Sequence, residues 1–128
     1  MDIREILLSS ISDRTYSAII TCETDGVLSG VSEACNIASD LGLEYRFFFG
    51  EGTHIAAGDM LCRVNGPPGS IVASEEMLIG SLSKYSGIAT AACRAVNLAA
   101  GRARIVSGSW KKMPSQIKSG IRTAITAG

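Results

Sequence analysis

The chain has 128 residues, 46% of them apolar and 19% charged, with a formal net charge of zero. This length and balance suit one globular domain with its own core and exclude a disordered chain, and no uncharged apolar run reaches the roughly 20 residues that span a bilayer. The zero is a cancellation: residues 1–76 hold all twelve Asp and Glu against four arginines, whereas residues 77–128 hold Lys84, Arg94, Arg102, Arg104, Lys111, Lys112, Lys118 and Arg122 and no acid. A basic half points to an anionic partner, whether a phosphorylated or carboxylated small molecule, nucleic acid or an acidic protein surface. Cys22, Cys35, Cys62 and Cys93 form no CxxC pair and His54 is the only imidazole, so a zinc site is poorly supported; their apolar surroundings suit reduced, buried thiols. The acidic start MDIREILLSS does not fit a secretory leader, and a cytoplasmic protein with no membrane partner is expected.

Asp2 precedes Ile3, Ile6, Leu7 and Ile11, which fall at helical spacing, so a short amphipathic helix capped by Asp2 and ended by Asp13-Arg14 is expected. TYSAIITCE is rich in β-formers, Asp25-Gly26 is a turn signal, and Val27-Leu28 reads as a short strand. Val31, Ala34, Cys35, Ile37, Ala38 and Leu41 share one face of a helix that Gly42 can close. EYRFFF reads as a strand, and the segment from Gly50 to Ser74 as short strands joined by Gly and Pro turns. Ser74-Glu75-Glu76 then reads as the start of a long helix, with the serine capping free amides and the acids meeting the positive end of the dipole. Leu78, Leu82, Tyr85, Ile88, Ala89, Ala92, Cys93 and Val96 form its apolar stripe, and Gly101 can stop it. Arg104-Ile105-Val106 is expected as a strand, and Pro114 to Ala127 as a final helix with Ile117, Ile121 and Ile125 aligned. That apolar face has no partner further along the sequence, so an uncovered surface and a chain cut at a domain boundary are expected.

Most candidate motifs have an ordinary reading. GEGTHIAAG lacks the third glycine of a dinucleotide loop and opens no helix, so it is turn chemistry. His54 has no carboxylate or nucleophile implied beside it and reads as a surface strand residue rather than an acid or base. Glu75 and Glu76 point about 100° apart on a helix and cannot converge as an acid/base pair. The segment Trp110-Lys111-Lys112-Met113-Pro114 differs. It sits in the acid-free half, after an expected strand and before a helix, where lysines can meet a phosphate or carboxylate together with free backbone amides. The alternative there is a solvated lysine pair on a loop.

Asp25-Gly26-Val27-Leu28-Ser29-Gly30, Glu51-Gly52, Ala57-Gly58-Asp59-Met60-Leu61, Val64-x-Gly66, Ile71-Val72-Ala73-Ser74-Glu75 and Ser86-Gly87-Ile88-Ala89-Thr90 follow one another in an order and spacing that carries a resemblance. Together they resemble the N-terminal region of the quinolinate (nicotinate-nucleotide pyrophosphorylase) phosphoribosyltransferase family. The resemblance implies an α+β fold: an α/β-hammerhead-like N-terminal domain over residues 1–101, with a small antiparallel sheet and a long helix, then the start of a truncated barrel domain over residues 102–128. The barrel itself, which needs on the order of 200 residues, is absent. For a full-length enzyme the family implies formation of nicotinate mononucleotide in NAD biosynthesis, from a pyridine carboxylate and phosphoribosyl pyrophosphate. Mg²⁺ is expected there, with none held by this part, which alone is expected to be inactive. The family's Thr-Arg-Lys-Thr-x-Pro pattern falls on Ser109 to Pro114, which makes Lys111 the implied substrate contact and Lys112, Lys118 and Arg122 further candidates. No catalytic residue or metal ligand is implied within this chain. Glu76 and Trp110 stand where the family usually has arginines that reach substrate, which leaves a molybdenum-transport paralogue or an inactive assembly or regulatory subunit as alternatives. A nucleic-acid module is a further alternative with little support, because Tyr85 and Trp110 are the only aromatics in the basic half. Family members resemble domain-crossed dimers, and a homodimer is expected through the Leu78–Val96 helix or the Ile117, Ile121, Ile125 face.

Overall fold

The computed structural model describes residues 2–128. Helix α1 (Ile3–Leu8) starts where expected, with the Asp2 carboxylate accepting from the Arg4 amide at 3.0 Å, and runs into a 3-10 turn over Ser9–Ile11. Strands β1 (Tyr16–Thr21), β3 (Glu44–Phe47) and β5 (Met60–Gly66) form an antiparallel sheet in the order β1-β5-β3. Ala18 and Ile20 stand opposite Val64 and Cys62, and Tyr45 and Phe47 face the same pair from the other side, so one apolar row crosses all three strands. A second, two-stranded ribbon pairs β2 (Gly26–Val27) with β4 (His54–Ile55).

Helix α2 (Val31–Asp40) closes as a glycine-terminated helix should. Gly42 lies at φ +70, its amide bonds Ser39 O at 3.0 Å and the Leu43 amide bonds Ala38 O at 2.9 Å, so the last carbonyls are satisfied in turn. The long helix α3 (Pro68–Ala99) corrects the expected boundary. It begins six residues before Ser74, because Pro68 fits the first helical position, where a missing N–H costs nothing, and the Ile71 amide closes the first turn onto Pro67 O. Ile71-Val72 had suggested a strand by β-propensity; the proline start overrides it. Ser74 is therefore a buried mid-helix residue whose hydroxyl donates to Ile71 O at 2.6 Å, and Glu75 and Glu76 are exposed side chains, not caps. The expected strand at Arg104–Val106 is also absent. This segment pairs with neither sheet, and Ile105 and Val106 are exposed. A 3-10 turn over Ser109–Lys112 leads instead into α4 (Ser115–Ala127).

Two core clusters meet along α3. Leu28, Ala34, Ala38, Leu43, Ile55, Leu61, Cys62, Val64, Leu78 and Leu82 fill the space between the sheet, α2 and the first half of α3. Val27, Tyr85, Ala89, Ile121 and Ala124 fill a second, with Ile117, Ile125 and Trp110 at its margin. The expectation of uncovered apolar faces is thereby corrected. Leu78, Leu82, Tyr85 and Ala89 of α3 and Ile121 of α4 pack inside this chain, whereas Val96 at the end of the stripe is exposed and Ile117 and Ile125 are half-buried.

Tyr85 is the hinge pin between the clusters. An added Cβ at Gly30 would lie 2.7 Å from the Tyr85 ring, and one at Gly120 would lie 2.6 Å from it, so both glycines are set by the close approach of one tyrosine. Gly30 also lies at φ +89. Gly30→Ala should therefore combine left-handed strain with displacement of Tyr85, costing about 2–4 kcal/mol in urea unfolding. Gly42→Ala, with open space around the new Cβ, should cost about 1–2 kcal/mol from strain alone. Equal losses at the two positions would show that Tyr85 yields easily.

Candidate functional site

Lys111 and Lys112 lie in the last turn of the 3-10 segment and are exposed. Pro114 follows and α4 opens at Ser115 with no side-chain cap and no acid in its first turn. The arrangement thus offers two ammonium groups beside a helix N-terminus of positive potential. Lys118 and Arg122 sit one turn apart further along α4. The Arg122 guanidinium lies 4.7 Å from the Trp110 ring centroid, so Trp110 holds this arginine by a cation–π contact. Arg122 also lines an open cleft of about 510 Å³ with Ser119, Thr123 and the Glu51-Gly52 turn, and none of the three lysines reaches that cleft. The four expected cations therefore lie on the 3-10 turn and α4, but the lysines and Arg122 do not converge on one cavity.

The segments around Gly26–Gly30, Glu51-Gly52 and Ser86–Thr90 have a different role. The amides of residues 27 to 31 are satisfied in succession from two sides. Thr90 Oγ1 accepts from Val27 N and Ser86 Oγ from Ser29 N, both at 3.0 Å, and the Ser86 hydroxyl returns a bond to Ser29 O at 3.2 Å. Leu28 N bonds Thr53 O at 2.9 Å, and the Glu51 carboxylate accepts from Gly30 N at 3.0 Å, Val31 N at 3.1 Å and the Ser29 hydroxyl. Gly30 has no side chain to cap α2, so Glu51 caps it from 20 residues away, a negative group at the positive end of the helix. Sequence reading missed this cap. A helix entered through Gly30, which has no side chain to place at the N-cap, was the available signal.

His54 is exposed on β4, as expected of a surface strand residue. Glu76 is exposed and lies 3.7 Å from Arg4 of α1. Among the described residues no three His, Cys, Asp or Glu side chains converge on a point where a cation could be held, and no helix is long and apolar enough to cross a membrane.

The model of the quinolinate phosphoribosyl transferase N-terminal domain matches residues 2–86 of this chain. The chain belongs to that family. A probable nicotinate-nucleotide pyrophosphorylase (carboxylating) of Archaeoglobus fulgidus is 32% identical over 95 residues, which cover 72% of this chain and 36% of the relative. Among solved structures, the nicotinate-nucleotide pyrophosphorylase of Francisella tularensis superposes with a TM-score of 0.84 at 17% identity, over 96% of this chain and 45% of that one. NadC of Streptococcus pyogenes gives 0.77 at 17% identity, over 88% and 41%. This chain thus spans less than half the length of these relatives. The α+β architecture with small antiparallel sheets, a long helix and no closed barrel is that of the quinolinate phosphoribosyl transferase N-terminal domain.

The four cysteines are free. Cys62 is wholly buried, and burial pushes its thiol up to about 11; a backbone hydrogen bond at Arg46 offsets part of the rise and nearby Cys35 adds to it. Burial also raises Tyr85. Both are acids whose folded pKa lies above the unfolded one, so their protonated forms support the fold; for Cys62 that support is full below about pH 9 and is lost as pH rises through about 11. Cys62→Ala should be less stable at neutral pH yet decline less between about pH 9 and 11 than the wild type in parallel urea titrations. Parallel declines would remove Cys62 from the alkaline transition.

Proposed function

We propose that this chain is the N-terminal portion of a quinolinate/nicotinate-type phosphoribosyltransferase, which in its whole form makes nicotinate mononucleotide from a pyridine carboxylate and phosphoribosyl pyrophosphate. The observation that carries this reading is the match of the N-terminal domain model over residues 2–86, supported by the name of the archaeal relative. In this reading residues 1–101 form the N-terminal domain, residues 102–128 begin a barrel domain, and the protein is cytoplasmic and works as a homodimer.

The reaction builds negative charge on departing pyrophosphate, and fixed cations near the reacting groups stabilise it. Lys111 and Lys112 supply such charge beside the uncapped amides of α4, while Arg122, held by Trp110, borders a separate cleft. Mg²⁺ would neutralise pyrophosphate in the whole enzyme. The residues described here offer no donor set for it, so the ion would have to be held by residues outside them. Glu76 bears on the substrate. Where the resemblance places an arginine, this chain has a carboxylate next to Arg4, which favours an acceptor other than a dicarboxylate, or an assembly subunit without turnover.

Two measurements test the reading. The 128-residue chain alone should release no pyrophosphate from phosphoribosyl pyrophosphate with quinolinate or nicotinate; turnover would overturn the placement of the remaining machinery outside it. In the whole enzyme, Lys111→Ala should lower kcat/KM by about 10- to 150-fold, the equivalent of one charge-assisted hydrogen bond of about 1.5–3 kcal/mol. An unchanged value would remove Lys111 from the substrate site. Tight, steeply salt-dependent binding of RNA or DNA by the chain would favour the nucleic-acid reading instead.

A further inference from the structure

The three-stranded sheet has an outer face, turned away from α3. Alternation along the strands points Ala18, Ile20, Cys62, Val64 and Phe47 toward the core, and sets Ile19, Arg63 and Arg46 in one row across the opposite side. All three are exposed. Arg63 and Arg46 are register partners on adjacent strands, so their Cβ atoms lie about 4.5–5.5 Å apart. Like charges directly opposite each other weaken a sheet. No acid offsets this pair, since the ion pairs within 4 Å among the described residues all belong to Arg4. Glu44, the one acid in the three strands, stands opposite Asn65 in the next row. The half of the chain that holds all twelve acids thus sets two of its four arginines side by side with a carboxylate on neither.

Apolar groups stand at both ends of the row. Ile19 is 44% exposed beside Arg63, and Phe48 is 38% exposed with its ring centroid 5.5 Å from the Arg46 guanidinium. That cation–π contact restrains one guanidinium before any ligand arrives. A guanidinium presents paired N–H donors in a fixed fork, and two forks from neighbouring strands match the double charge and three free oxygens of a phosphate ester. A carboxylate, with one charge and two oxygens, would satisfy one arginine and leave the other. We propose that Arg46 and Arg63 together bind the phosphate group of a phosphate monoester, whose apolar or aromatic part lies against Phe48.

The neighbouring row supplies further polar groups. Ser17, Asn65 and Glu44 stand side by side across β1, β5 and β3, so the amide of Asn65 adds a donor next to Arg63 and the Glu44 carboxylate bounds the site on the β3 side. A phosphate therefore fits between the two arginines and not beyond them. The site lies on β3 and β5, apart from the 3-10 turn and α4 that carry Lys111, Lys112, Lys118 and Arg122, and it does not rest on the enzymatic reading.

Titration of the 128-residue chain with phenyl phosphate, followed by NMR at the Arg46 and Arg63 side chains, tests it without confusion with binding at Lys111. Both side chains should shift together and saturate. Inorganic phosphate should bind several-fold more weakly for want of the ring, and benzoate, with its single charge, more weakly than phenyl phosphate. Arg46→Gln and Arg63→Gln should each weaken phenyl phosphate by about tenfold or more, the loss of one charge-assisted contact. Both positions are exposed, and circular dichroism confirms that the variants are folded. A second measurement reads the pair itself. The coupling between the two arginines, from urea unfolding of wild type, both single variants and the double variant, should be unfavourable in chloride and turn favourable with phenyl phosphate at the same ionic strength. No saturable shift overturns the proposal, as does unweakened binding by either variant, inorganic phosphate or benzoate binding as tightly as the ester, or a coupling that the ester leaves unchanged.

Discussion

Five consecutive backbone amides, from Val27 to Val31, set the rest of the structure. The segment leaves its regular pairing with β4 after Val27, keeps one irregular backbone exchange at Leu28 with Thr53 and Gly52, and then has no strand beside it. Buried amides without partners cost about 1–3 kcal/mol each, so the fold must bring acceptors to them. It does so mostly with side chains. Thr90 and Ser86, one helical turn apart on α3, reach alternate amides from one side, while Thr53 O and the Glu51 carboxylate reach the others from the opposite side. Because the spacing of alternate residues in an extended chain is close to the rise of one helical turn, two hydroxyls four residues apart can serve such a segment only when helix and strand run side by side.

That constraint explains why small residues gather here. Thr90 approaches so closely that a Cβ at Gly26 would lie 2.6 Å from its hydroxyl, and Tyr85, which precedes Ser86 on the same helix, fills the space a side chain at Gly30 would need. The same ring presses on Gly120 of α4 from its far edge. The order of the C-terminal helix thus depends on the seam through one aromatic residue. A motif that looks like a ligand loop in sequence is, in this part of the molecule, a device for docking irregular backbone on a helix.

Elements whose start and stop are written in local chemistry were legible in the sequence. Asp2 capping α1, the Gly42 termination of α2 and the apolar stripe of α3 depend on residues within a turn or two of one another, and each appears where expected. The failures share a cause. Ser-Glu-Glu is a good cap and Ile71-Val72 are β-formers, so local chemistry points to a start at Ser74, but a proline at the first helical position outweighs both. The 104–106 strand was inferred from residue type alone, and a strand forms only where another strand offers its hydrogen bonds. For the site, the location of Lys111 and Lys112 before a helix was readable, whereas the pairing of Arg122 with Trp110 and the capping of α2 by Glu51 were not. Both join residues far apart in sequence, and their partners were identifiable only as types, not as neighbours.

The charge division follows the same architecture. Two of the acids of the first half have assigned structural work: Asp2 caps α1, and Glu51 caps α2 from a distance. The second half holds α3 and α4 together by apolar contact and by Tyr85, so its cations are not needed to support the fold and remain available at the surface. Trp110 restricts that availability for Arg122, whose guanidinium lies 4.7 Å from its ring, more closely than Tyr85 does for Lys84 at 5.9 Å. In the proposed enzyme a carboxylate or phosphate approaching α4 would meet one cation held against a ring and lysines that must be ordered on arrival. Lysine loses up to about 2 kcal/mol of side-chain entropy on being fixed, so a held guanidinium is the better source of orientation and the lysines the better source of charge. The placement of that guanidinium traces back through α4, Gly120 and Tyr85 to the hydroxyls of Ser86 and Thr90, so a proposed contact residue depends on side chains well removed from it.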